Sequence, residues 1–369
     1  ARLVILQALD AERKGAEINF SHDAYCIYFS VRCLVEDVRE MINILGEILL
    51  VPELSKKELT LLKSQMITDE MENKTNPEWM GAEALTRLLY PKDHFHYLRT
   101  PAQRVTDIKS VKKADLVHFH KKVSGIGSMI AVLGGDIEKT HQDILKALFK
   151  KLPETEGLES TLKSKGPLSP VQKTSDVYIA DKSSVSLYLG QATEVSLSHK
   201  DYFPLMVGIV VLGGSGLGVR LMREVRDAKG LTYGIHARLK GARCGVAGYF
   251  EISGTFAPAL LSQGEEATFA ELKKWVEKGI TKEELDEKKE NLIGSFSIAL
   301  GTTRGLVHEI LAEATEGFPK EYIDEYPKII QALTLEGVNA AIRRHINPAN
   351  IAIVRAGTLE GIKSRPSRK

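Results

Sequence analysis

Leu221-Met-Arg-Glu-Val-Arg226-Asp-Ala-Lys-Gly230-Leu-Thr-Tyr233 reads as a helix with a charged end that turns at Gly230 straight into a strand. Glycine suits that corner because it enters the left-handed conformation without steric penalty. Arg226 and Tyr233 stand seven positions apart (233 − 226 = 7), so the helix-strand junction can bring a guanidinium and a phenol together.

The segments on either side extend the pattern. Upstream lie strands at Val177 to Ala180 and Ser184 to Gln191, a helix through Leu212 and the glycine-rich turn Leu212-Gly-Gly-Ser-Gly-Leu-Gly218. Downstream come a hairpin from Tyr233 to Phe256 and long helices from about Ala259 to Gly279 and from Lys282 to Ala299. The first half carries a similar series. Ala1 to Asp10 has helical spacing, Gly15 ends that turn, and Ala16 to Leu34 reads as a hairpin through Ser21-His22-Asp23-Ala24. Val35 to Leu50 has one apolar stripe, Ser55 to Glu58 is a capping box opening a helix to about Asn73, and Asn76-Pro77 opens another. A helix over Lys113 to Lys122 and a buried strand over Ser128 to Leu133 complete the half.

Pro52-Glu-Leu-Ser-Lys-Lys-Glu-Leu59 matches Lys278-Gly-Ile-Thr-Lys-Glu-Glu-Leu285, Met129 to Gly135 matches Ile351 to Gly357, and Lys14-Gly15 matches Lys229-Gly230. The offsets are nearly constant at roughly 220 residues, the mark of an internal duplication. The alternative is chance likeness between amphipathic helices. Under duplication, the counterparts of about Val177 to Leu212 fall before residue 1, so the first copy is expected to be clipped by about 40 residues. The segment Lys151 to Asp176, with Pro153, Pro167 and Pro170 among Gly, Ser, Thr and Lys, has no periodicity and reads as a linker. The expected organisation is a first lobe at 1–150, a linker at 151–175 and a second lobe at 176–369.

Composition narrows the classes. A chain of 369 residues exceeds what one core usually serves, and 43% hydrophobic with 27% charged residues describes a globular protein rather than a fibrous or disordered one. Fifty basic against forty-eight acidic side chains give a net charge of +2, which points to no nucleic-acid partner. No apolar run is long enough to span a bilayer, and Cys26, Cys33 and Cys244 are too few and scattered for a disulfide framework.

Several motifs fail on spacing. The glycines at 213–218 lack both the G-x-G-x-x-G pattern and a following Lys-Ser/Thr, and read as a turn between helices. The pairs His94/His96 and His118/His120 have no third ligand nearby and read as turn or solvent-facing residues. His308-Glu309 does not begin H-E-x-x-H because position 312 is Ala, and neither H-x-x-E-H nor G-x-S-x-G occurs.

The stretch from Leu221 to Tyr233, with Arg, then Gly-Leu-x-Tyr, resembles the C-terminal repeat of the pitrilysin/insulinase-type metallopeptidases, the inverted zincins and their mitochondrial processing-peptidase relatives. Gly15-Ala-Glu-Ile-Asn19 resembles the edge strand after that family's zinc helix, and Gly317 to Ile330 with Ile346-Asn-Pro resembles the closing segment of bacterial members. The resemblance implies an α+β protein of two homologous α/β sandwich lobes, each a mostly antiparallel sheet covered by helices, facing each other across a chamber. It also implies zinc-dependent hydrolysis of peptides or small unfolded proteins, with a bacterial periplasmic or cytoplasmic setting.

By that resemblance Arg226 and Tyr233 bind substrate and steady its scissile carbonyl, and Ile18, Asn19 and Phe20 form a strand to which a peptide backbone adds. Zinc would be held by two His of H-x-x-E-H, expected some ten residues before Ala1, and by Asp69 or Glu70 as acidic ligand, one gap deciding which. Leu62 and Lys63 stand where catalytic members carry a further acid seven positions earlier, which counts against an intact zinc shell and favours a helix-surface Asp-Glu pair. Two functions stay open: a zinc endopeptidase acting alone or as a homodimer, and a non-catalytic subunit, or purely structural relative, paired with a zinc-bearing chain.

Overall fold

A computed structural model describes residues 15–155, 173–216, 218–319 and 321–359. The chain is α+β and divides into two compact units, each assembled from three stretches: 1–68, 105–163 and 299–320 in the first, 69–104, 164–298 and 321–369 in the second. The expected helix over Ala1 to Asp10 and residues 156–172 of the expected linker lie outside the described residues.

In the first unit β1 (Glu17–His22) pairs antiparallel with β2 (Ile27–Arg32). Gly15 enters β1 at φ 73°. Asp23 makes the hairpin turn, its Oδ1 accepting from the backbone N–H of Tyr25 and Cys26, both at 2.7 Å. Helix α1 (Val38–Leu50) lays Met41 and Ile44 against Ala16, Ile18 and Val31, and so closes a small core over the hairpin. Helix α2 (Lys56–Asn73) starts at the expected capping box, with Ser55 Oγ accepting from Glu58 N–H at 3.1 Å. The expected strand over Ser128 to Leu133 differs. Residues 129–134 are irregular, and no described strand pairs with them, so there is no ladder to hold β geometry.

Helix α3 (Pro77–Leu89) lies in the second unit and is capped by Asn76 Oδ1, which accepts from the N–H of Glu78 and Trp79. It packs on one face of a five-stranded sheet built from β3 (Thr174–Tyr178), β4 (Val185–Ala192), β5 (Thr232–Lys240), β6 (Tyr249–Phe256) and β7 (Ala352–Gly357). The strand order is β3-β7-β4-β6-β5, antiparallel except for the β3–β7 pair. Ala84, Leu85 and Leu89 of α3 meet Tyr188, Tyr249, Ala352 and Val354. The contact is close enough that a Cβ on Gly190 would meet Leu85 Cδ2 at 2.7 Å, which requires glycine there.

The opposite face carries the main core. Helices α7 (Tyr202–Gly213), α8 (Leu261–Lys278) and α12 (Leu335–His345) bury Leu205, Ile209, Leu272, Trp275 and Ile342 with Leu187, Leu189, Phe250 and Ile252 of the sheet. Trp275 is fully buried, stacks on Phe250 with centroids 6.1 Å apart and donates from Nε1 to the Gly208 carbonyl. Burial of each such large side chain contributes about 1.5–3 kcal/mol. Alternate strand residues thus serve opposite faces, and toward the β5 and β6 end the α3 face turns polar, with His236, Arg238, Glu251 and Ser253 in facing register.

Candidate functional site

The helix expected through Arg226 forms in an unusual way. Residues Met222–Asp227 adopt π-helical hydrogen bonding, with Ala228 N–H donating to the Arg223 carbonyl at 2.9 Å. The helix end is widened by the same extra residue: Leu231 N–H reaches the Val225 carbonyl and Gly230 N–H the Arg226 carbonyl, each one position farther back than in an ordinary Schellman end. Gly230 makes the corner at φ 62°. Leu221, Met222, Val225 and Leu231 are buried, while Arg220 binds Glu284 in bidentate fashion at 2.7 and 2.6 Å and anchors the start of the turn.

A second irregularity follows at once. Thr232 faces Phe256 and Ile235 faces Gly254, so Tyr233 and Gly234 oppose the single residue Thr255 in a β-bulge. Thr232 Oγ donates to the Thr255 carbonyl at 2.6 Å and accepts from Gly234 N–H at 3.2 Å, which holds the bulge in shape. The bulge turns Tyr233 outward until it is 90% exposed, an extreme value for a residue inside a strand. Arg226 Cζ lies 5.7 Å from the centre of the Tyr233 ring, and its Nη1 is 3.4 Å from Asp227 Oδ1. The π turn and the bulge together place a guanidinium beside an exposed phenol at the start of β5, the end strand of the sheet among the described residues. Both groups are hydrogen-bond donors suited to a carbonyl oxygen or an oxyanion.

Ile18, Asn19 and Phe20 sit on β1 in the first unit, paired with Val31, Ser30 and Phe29. Ile18 turns to the α1 core, whereas Phe20 is 62% exposed and meets Phe29 edge to face. Asp69 is exposed on α2. Glu70 is clamped by Arg104, whose Nε and Nη2 donate to its two oxygens at 2.8 and 2.7 Å. Arg104 Nη2 also reaches the buried Glu83 at 2.5 Å, and Glu83 accepts from Trp79 Nε1 at 2.6 Å. Burial alone would ease the Arg104 proton off, but Glu70 and Glu83 outweigh it and push the guanidinium pKa up. A carboxylate already filled by a guanidinium, beside an exposed aspartate and no imidazole, does not fit a zinc shell, and among the described residues Asp69 and Glu70 join no group of metal donors.

His94, His96 and the glycine-rich turn serve the fold. His94 and His96 lie in a turn but are buried rather than solvent-facing, His96 Nε2 being 2.9 Å from the Ala247 carbonyl. Burial lowers the pKa of both. In the glycine-rich turn, Gly213 is explained by the approach of α7 to β5, since a Cβ there would meet Ala237 N at 2.6 Å. One grouping escaped the sequence altogether, His199, Asp201 and His345, because 144 positions separate the last two and no spacing rule links them.

The second unit is thus a mostly antiparallel sheet with helices on both faces and an Arg226/Tyr233 pair at a helix-strand junction. The family model for the peptidase M16 inactive domain matches residues 110–292, and the chain belongs to this M16, pitrilysin-type family. It is 26% identical over 354 residues to a Helicobacter pylori protein named non-peptidase homolog YmxG, covering 93% of this chain and 78% of that one. It is 28% identical over 151 residues to a Bacillus subtilis protein named uncharacterized zinc protease YmxG, covering 41% and 36% of the two chains. The crystal structure of a peptidase M16 inactive domain from Pseudomonas fluorescens superposes with a TM-score of 0.86 at 25% identity, covering 97% of this chain and 84% of that one.

Proposed function

We propose that this chain is the non-catalytic member of a two-chain M16-type peptidase, holding a peptide or unfolded protein through Arg226 and Tyr233 while zinc sits on a partner subunit. The observation that carries this reading is the Arg226–Tyr233 pair, kept side by side by a π turn and a bulge with the phenol 90% exposed. A backbone that has two irregular features flanking one exposed pair has given up regular hydrogen bonding for a purpose other than packing. The filling of Glu70 by the Arg104 guanidinium and the name of the Helicobacter pylori relative, a non-peptidase homolog, support the non-catalytic half of the proposal.

In the assembled enzyme the Arg226 guanidinium and the Tyr233 hydroxyl donate to the substrate's backbone carbonyl and stabilise the negative charge that develops on it. Zinc on the partner would polarise the same carbonyl and activate water. The strand at Ile18, Asn19 and Phe20 offers main-chain hydrogen bonds to an extended segment, which gives grip with little side-chain selectivity. The duplication read from the sequence is part of this proposal, the segments 1–150 and 176–369 each descending from one ancestral repeat. A zinc endopeptidase acting alone or as a homodimer is the second reading, favoured by the name of the Bacillus subtilis relative; it requires zinc ligands beyond these 369 residues, which contain no H-x-x-E-H.

Binding of a fluorescently labelled unfolded polypeptide to the purified chain tests the proposal. Tyr233→Phe and Arg226→Ala should each weaken binding at least several-fold with an unchanged melting temperature. Equal affinity in both variants would remove substrate holding from this pair.

A further inference from the structure

We infer that His199, Asp201 and His345 form a binding site for a transition-metal dication of the zinc class, closed in the metal-free protein by the Arg344 guanidinium. The inference is independent of the proposed peptidase role. Asp201 stands at the N-terminus of α7, His199 two residues before it in the same turn, and His345 is the last residue of α12. One potential ligand atom from each of the three lies within 4.8 Å of the others. Asp201 Oδ2 accepts from His345 Nε2 at 2.8 Å and from Arg344 Nη1 at 2.5 Å, and His199 Nδ1 accepts from the Asp201 backbone N–H at 3.1 Å. The two imidazole rings stand nearly perpendicular with centroids 5.4 Å apart.

Zinc bonds of about 2.0–2.1 Å set tetrahedral ligand atoms roughly 3.4 Å apart, so His345 Nε2 and Asp201 Oδ2, 2.8 Å apart, need to open slightly, and any pair near the 4.8 Å limit needs to close, around an ion. The exposure pattern shows where it would enter. The side chains of His345 and Asp201 are 10% and 11% exposed, while that of Arg344 is 54% exposed. A dication displaces a single guanidinium charge from the carboxylate, and Arg344 can swing into solvent without leaving a buried charge behind.

The backbone around His345 is held in place. The His345 carbonyl accepts from Gln191 Nε2 at 2.8 Å, and Gln191 Oε1 accepts from Asn347 N–H at 2.9 Å, fixing the backbone that carries the imidazole. The C-terminal end of α12 adds negative potential at the same point. Two imidazoles with one carboxylate select zinc, copper or nickel over magnesium and calcium. An ion there would staple α7 to α12, two of the helices that cover one face of the sheet.

Calorimetric titration of the chelator-stripped full chain with zinc chloride, against magnesium chloride, tests this, with thermal melting read in parallel. Zinc should bind and raise the melting temperature, magnesium should do neither, and His345→Ala and His199→Ala should each weaken that binding about 10–100-fold. Arg344→Ala, a change at an exposed position, should tighten zinc binding by removing the competing cation. Zinc affinity unchanged in His345→Ala and His199→Ala would place any bound metal elsewhere and overturn the site. Absence of zinc binding, or no tightening in Arg344→Ala, would contradict it equally.

Discussion

Arg226 and Tyr233 face each other across a helix-strand junction, Cζ to ring centre 5.7 Å, although each belongs to an element whose regular form would not present them so. The extra residue of the π turn sets the direction of Arg226, and the extra residue of the β-bulge turns Tyr233 out of the sheet plane. Their cation–π contact contributes only about 0.5–1 kcal/mol at an exposed site, too little to account for two backbone irregularities by itself.

Tyr233→Phe keeps the ring and deletes one donor. Turnover by the assembled peptidase should fall about 100-fold, the usual cost of one donor to a developing oxyanion. Because Tyr233 is 90% exposed, unfolding free energy should change by no more than about 0.5 kcal/mol. Steady-state kinetics with parallel thermal melting measures both, and Arg226→Lys should not restore the activity lost in Arg226→Ala, because a point charge lacks the planar fork.

Gly230 turns the corner at φ 62°, and nothing lies within 4 Å of a Cβ placed there. Gly230→Ala therefore costs about 1–2 kcal/mol through backbone strain alone. Gly294→Ala, also without neighbours within 4 Å but inside helix α9 (Lys282–Leu300), should stabilise by about 1 kcal/mol. Urea denaturation of the two variants should show opposite signs.

Arg104→Ala removes the shared partner of Glu70 and Glu83 and leaves Glu83, 2% exposed, with a reduced set of donors. Removing one partner of a buried ion pair costs about 3–5 kcal/mol, so this should rank among the most damaging single changes. Glu70→Gln, at a more exposed carboxylate, should cost less. Chemical denaturation of both variants checks the order.

Glu251 is 3% exposed on β6, and burial raises its pKa although Lys240 Nζ, 3.2 Å away, partly opposes the shift. A carboxyl whose folded pKa lies above its unfolded value gives its full stabilisation below the unfolded pKa and loses it as pH rises through the folded pKa. Glu251→Gln should accordingly gain stability relative to the parent as pH rises from 4 to 7, about 1 kcal/mol for each unit by which the folded pKa exceeds the unfolded one. Melting temperatures across that range read the trend.

The sequence carried most of the local structure because local chemistry marks it. Ser55 and Asn76 cap helices where expected, Asp23 makes the expected hairpin turn, and Gly230 turns the expected corner. Arg226 and Tyr233 could be paired in advance because seven positions through a helix end and a glycine leave few geometries. What stayed hidden depends on distant partners. The stretch 129–134 has strand composition but no strand beside it among the described residues. Glu70 pairs with Arg104 across 34 positions and His345 with Asp201 across 144, neither of which leaves a trace in spacing. The bulge at Tyr233 and the π turn before it are likewise invisible in a pattern that only distinguishes helix from strand.

The most direct measurement is peptide hydrolysis by the purified full-length protein alone and again in the presence of any zinc-binding M16-type chain recovered with it from its native host. A non-catalytic subunit predicts no chelator-sensitive hydrolysis from the chain alone, strong chelator-sensitive hydrolysis from the assembly, and loss of most of that activity when the subunit carries Tyr233→Phe. Chelator-sensitive hydrolysis by the isolated chain, or an assembly indifferent to both Tyr233→Phe and Arg226→Ala, would contradict it.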